Sequence, residues 1–175
     1  MADTIGALPA HRLRTLSGSL ETGASAEDAF TLIRAVEKWP VWLSFIRSAR
    51  LADPNTPLVQ GSDVIIRAAI PGDEEQHFEV DRYLENHQIS LVGAYSVRRR
   101  IDFRIERRML RNSDNIAQSR IHVRIDYPSY HGRIAAYIHH LTHGRKLAAA
   151  LQHSLVLFRG LVEYRQEPDA LLADL

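Results

Sequence analysis

The chain has 175 residues, a formal net charge of +1 and no cysteine. That length suits one domain with ample apolar content for a core, and the near-neutral charge excludes a general attraction to polyanions. Without cysteine there are no disulfides, no thiolate catalysis and no sulfur-ligated zinc, in keeping with a reducing compartment.

The opening residues, Met1 to Pro9, carry neither a basic nor an apolar signal region. No apolar run approaches the ~20 residues that cross a bilayer. A cytoplasmic protein is the expectation, with residues 1–10 as an N-terminal tail. From His11 to Thr22 the chain alternates, with Arg14, Leu16, Gly18 and Leu20 on one face, and Gly23 ends the strand. Ser25 can cap a helix through Asp28, and Glu27 and Asp28 suit the positive end of its dipole. Ala29, Phe30 and Ile33 supply that helix with an apolar stripe. Pro40 interrupts the pattern, so a second short helix is predicted beside Trp39 and Trp42.

Strands follow. Arg47 to Ala52 reads as a short strand, Asp53 to Pro57 as a loop, and Val64 to Ile70 as a strand stopped by Pro71-Gly72-Asp73. From Gln76 the period is two, with Phe78, Val80, Arg82 and Leu84 sharing a face by parity. Gln88 to Ser96 sets Ile89, Leu91 and Tyr95 on one side. In Arg98 to Met109, Arg99, Ile101, Phe103 and Ile105 face one way and Arg100, Asp102, Arg104 and Glu106 the other. The strand ending at Tyr127 sets Ile121, Val123 and Ile125 against Arg120, His122, Arg124 and Asp126. A one-sided antiparallel sheet of this kind needs a cover.

Helical periodicity from about Arg133 to Tyr164 provides one. Tyr137, Leu141, Gly144, Ala148, Leu151, Leu155, Phe158 and Val162 recur at spacings of three and four. Residues 11–165 therefore form the predicted domain, and 166–175 a C-terminal tail. Gly144 costs about 1 kcal/mol in a helix interior relative to alanine. It either permits close approach to the sheet or, with Ala148, leaves volume there for a ligand.

Three segments carry a family resemblance: Ser25 to Phe30 with Trp39-Pro40-Val41-Trp42-Leu43, Pro57 to Ser62, and Ile125-Asp126-Tyr127-Pro128 with Leu147 to Leu155. In these the chain resembles the START-like (SRPBCC) superfamily, in particular its bacterial polyketide cyclase/dehydrase and lipid-transport branch. The resemblance implies an α+β helix-grip fold, a curved antiparallel sheet wrapped around a long C-terminal helix. It does not choose among that superfamily's cyclases, ubiquinone-binding proteins, chaperone activators and plain carriers.

The expected function is binding of a small hydrophobic ligand, such as a lipid, polyketide or isoprenoid-like molecule, between sheet and helix. Apolar lining is expected from Trp42, Phe78, Leu91, Ile101, Phe103, Val123, Leu141, Gly144 and Ala148, with Tyr127 and Tyr137. Arg82, Tyr95, Arg99 and Arg145 are the polar candidates. An inward guanidinium needs a partner and can hold a carboxylate or enolate, whereas one at a strand end snorkels to water. The alternatives are a cyclase or aromatase using the same pocket, and an interaction module using the arginine-rich outer sheet face. On that face Asp102, Glu106 and Asp126 alternate with arginine, so cross-strand pairing accounts for the charges and no nucleic-acid partner is expected. His139 and His143 share a helical face, but no glutamate follows His139 and both point away from the apolar stripe. No metal and no cofactor is expected; oligomeric state stays open.

Overall fold

Alternation alone accounts for most of the sheet. In the computed structural model, which describes residues 13–68, 75–94, 99–108, 118–128 and 144–164, seven antiparallel strands curl into a half-barrel around one helix. The strands are β1 (Leu13–Thr22), β2 (Ile46–Leu51), β3 (Asp63–Ala68), β4 (Glu75–Leu84), β5 (Gln88–Gly93), β6 (Arg100–Arg108) and β7 (Gln118–Pro128). Their spatial order is β1-β7-β6-β5-β4-β3-β2. The first strand thus pairs with the last along its whole length, from Leu13↔Pro128 to Thr22↔Ser119. Ile101, Phe103 and Ile105 of β6 stand opposite Ile125, Val123 and Ile121 of β7, all buried. The outer face of the same pair sets Asp102 against Arg124 and Glu106 against Arg120, the opposite-charge ladder expected from the alternation.

Between β1 and β2 lie α1 (Ala26–Arg34) and the single-turn α2 (Trp39–Trp42), joined by a 3₁₀ turn at Val36–Lys38. Ser25 caps α1 by accepting from the Asp28 amide at 3.0 Å, and Pro40 sits in the first turn of α2, where its missing N–H costs nothing. Both tryptophans are fully buried. Trp39 Nε1 donates to Ile33 O at 2.7 Å, which ties the two helices together.

The concave face is closed by α3 (Arg145–Tyr164) through Leu147, Leu151, Leu155, Phe158 and Val162, each buried. Burying such a side chain contributes about 1.5–3 kcal/mol as an upper bound. Hydrogen bonds fix the helix at two heights. Ser154 Oγ accepts from the Ser44 amide at 2.9 Å, just past α2, and near the C-terminal end Glu163 accepts from Thr22 Oγ1 and the Gly23 amide at 3.0 and 3.1 Å.

Two expectations change. The register slips between Val80 and Arg82, leaving Asp81 as an extra residue in β4. This bulge reverses parity, so Tyr83 packs edge-on against Phe30 while Arg82 and Leu84 lie exposed on the outer face. The close approach of helix to sheet occurs at Gly18 of β1, where an added Cβ would stand 2.9 Å from Leu155 Cδ1 and 3.3 Å from Leu151 Cδ2. The small residue at that contact is on the strand. The apolar stripe of α3 runs through Leu147, leaving Ala148 half-buried and Arg145 exposed. The predicted helical residues 133–143 lie outside the described residues.

Candidate functional site

The middle of the core is filled. Trp42 stacks edge-on with Phe158 at 4.8 Å between centroids and meets Phe103 at 5.9 Å, while Trp39 tilts against Phe103 at 5.3 Å. With Leu151 and Leu155 seated on Gly18, little room remains under the centre of α3.

Unfilled space lies instead at one end of the sheet, beside the first turn of α3. A cavity of about 70 Å³ is walled there by Phe45 and Ile46 leading into β2, Ile66 and Ala68 of β3, and Gln76 and Phe78 of β4. Ile101 of β6, Ile125 of β7 and Leu147 of α3 complete the apolar part, with Arg99, Asp126 and Tyr127 as the polar part. Strand pairing makes this one neighbourhood, since Ile66 stands opposite Gln76 and Ile101 opposite Ile125. The volume holds an apolar group of a few carbons; an engineered cavity about twice as large accepts benzene.

Asp126 is well buried and fully engaged. It accepts from Thr15 Oγ1 of β1 at 2.6 Å and from Arg124 Nε and Nη2 at 3.1 Å. That hydrogen bonding, then the carboxylate's charge, hold the Arg124 guanidinium above the ordinary arginine range. Arg99, half-buried just before β6, is the cavity's cationic side chain and has no ion-pair partner among the described residues.

A second concavity of about 440 Å³ lies on the outer sheet face, lined by Arg82, Arg100, Arg104 and Arg124 with Asp81, Asp102, Gln88 and Val92. Arg99 and Asp126 border this groove as well as the cavity, so the two spaces meet at that pair.

Several solved structures share this fold. One is a START superfamily protein from Mycobacterium smegmatis, at TM-score 0.61 and 20% identity over 87% of this chain and 99% of that one. The fold is START-like. The Zhui aromatase/cyclase from Streptomyces sp. R1128 matches at TM-score 0.61 and 13% identity, covering 88% of this chain and 96% of the other. The di-domain aromatase/cyclase StfQ of the steffimycin biosynthetic pathway matches at TM-score 0.63 and 12% identity over 87% of this chain and 52% of its own. No protein-family model and no curated protein matches the sequence.

Of the residues expected to line a pocket, Phe78, Arg99, Ile101 and Tyr127 border this cavity. Trp42, Leu91, Phe103 and Val123 are buried in the packed core instead. Arg82 borders only the outer groove, because of the Asp81 bulge. Gly144 is buried, but neither it, Ala148 nor Arg145 lines the cavity. Tyr95, Tyr137 and Leu141 lie outside the described residues. Sequence reasoning missed Phe45, Ile46, Ile66, Ala68, Gln76, Ile125, Asp126 and Leu147 as lining. Ile66 could have been found, since alternation within the strand read at Val64 to Ile70 sets it on one face with Val64. Leu147 carried a signal too, since it lies four residues before Leu151 and continues the apolar stripe by one turn.

No described helix is long and apolar enough to cross a membrane.

Proposed function

We propose that this protein binds a small hydrophobic molecule, placing its apolar group in the cavity beside Leu147 and its polar group near Arg99, Asp126 and Tyr127. The observation that carries this reading is an apolar-walled pocket of about 70 Å³, partly open to solvent, beside an otherwise packed core. A ligand's apolar group seated there would displace water from those walls, at about 25 cal/mol per Å² of apolar surface removed from it. A few convergent polar groups beside an apolar wall suit recognition of one small molecule.

A second reading uses the same wall. The two aromatase/cyclase neighbours favour it: Arg99 and Tyr127 would polarise a carbonyl of a bound poly-β-ketone, making the protein a cyclase.

Native mass spectrometry of the freshly purified full chain, with titration of the uncharged fluorophore N-phenyl-1-naphthylamine, tests binding. A co-purified apolar molecule, or saturable one-site fluorophore binding, is the expected result. Protein that is repeatedly empty and gives only linear fluorescence overturns the reading. Cyclised product formed from a poly-β-ketone and lost in Arg99→Gln would establish the enzyme.

A further inference from the structure

The outer-face groove carries more cationic charge than its own carboxylates use. Asp81 is paired with Arg100 at 2.7 Å, Asp126 with Arg124, and Asp102 accepts from Gln88 Nε2 at 2.6 Å. All three carboxylates that line the groove are therefore engaged. Arg82, Arg99 and Arg104 line it, and their guanidiniums have no hydrogen-bond or ion-pair partner among the described residues. Between Arg82 on β4 and Asp102 on β6, strand register places Ser90, which is 1% exposed and whose Oγ also lacks a partner among the described residues.

We infer that this groove is a binding site for a compact phosphorylated small molecule, held by the guanidiniums of Arg82, Arg99 and Arg104. A guanidinium presents a planar fork of donors that matches phosphate oxygens in pairs, and charge-assisted bonds of this kind are the strong ones. Three guanidiniums without a partner among the described residues border one open concave space, which admits a compact ligand such as a diphosphate. The Asp81 bulge is what brings Arg82 into the set, by turning it to the outer face. An extended polyanion fits poorly. Glu79 and Glu106 lie exposed on this sheet with Asp81 and Asp102 among the arginines, so a membrane surface or nucleic acid would meet carboxylates as often as cations. A compact anion touches only the cationic patch.

Inorganic pyrophosphate, titrated into the full chain by calorimetry at low and at physiological salt, is the probe. One-site binding that weakens with salt is expected, about tenfold weaker for each of Arg82→Gln and Arg104→Gln. Arg159→Gln, an exposed site on α3, should leave it unchanged. Fluorophore binding in the apolar cavity should survive Arg82→Gln and Arg104→Gln, which separates this site from that one. Absence of saturable pyrophosphate binding overturns the inference, as does equal weakening by Arg159→Gln. Capture of phosphatidate vesicles without pyrophosphate binding overturns it in favour of a membrane surface.

Discussion

Gly18 of β1 lies directly beneath Leu155 of α3, with 2.9 Å between a notional Cβ and Leu155 Cδ1. Real Cβ atoms do not stand this close to carbon, so any side chain at position 18 forces the Leu155 methyl end to move, and a branched one displaces more of it. Gly18→Val should destabilise the fold by about 1–3 kcal/mol through overpacking. The loss should shrink when Leu155→Ala is combined with it, since the two positions share one space. Urea unfolding of the single and double variants measures the coupling; strict additivity would show that helix and strand do not compete there.

The two tryptophans make a matched pair. Both are fully buried, yet Trp39 Nε1 donates to Ile33 O while Trp42 Nε1 has no partner among the described residues. Replacing Trp39 with phenylalanine strands a buried carbonyl, whereas the same change at Trp42 removes an unpaired donor. Trp39→Phe should therefore cost about 1–2 kcal/mol more than Trp42→Phe. Equal losses in chemical denaturation would argue against this accounting.

Ala68 closes the cavity from the end of β3. Enlarging it to leucine fills space without burying a polar atom. Ala68→Leu should leave thermal stability unchanged or higher and weaken binding of the uncharged fluorophore by about tenfold. Undiminished binding would place the fluorophore elsewhere.

At the strand edge, Arg120 donates to Glu21, and Arg108 lies 3.2 Å from the same carboxyl. The Arg120 hydrogen bond first, then the charges of Arg120 and Arg108, hold Glu21 below the usual carboxylate range. A carboxyl whose pKa is lower in the folded state stabilises it above the ordinary glutamate value, about 4.3, and loses that contribution as pH falls through the folded value. Glu21→Gln should flatten the loss of stability between about pH 5 and about pH 3. Because the pair is exposed, added salt should shrink the difference. Urea midpoints across pH compare the two proteins, and identical slopes would remove Glu21 from the acid response.

Local chemistry was legible wherever it acts within a few residues. Ser25 marked the start of α1, Pro40 the start of α2, and the alternation through Ile101–Ile105 and Ile121–Ile125 identified two neighbouring strands and their inward faces. The outer ladder was equally readable, because opposite charges at period two imply a partner strand. Arg82 was not. A single extra residue at Asp81 reverses every later position in β4, and nothing in a run of alternating residues announces which one will be skipped.

By itself the sequence determined the order of elements, the one-sided sheet and the need for a helical cover, because periodicity and capping are properties of neighbouring residues. Where the cover touches and where it leaves room was settled only in three dimensions. Gly18 and Leu155 are far apart along the chain yet touch where α3 crosses β1, and the pocket beside Leu147 gathers residues from five strands and α3. The grouping of Arg82, Arg99 and Arg104 likewise depends on strand register and one bulge, which emerge from pairing between distant segments.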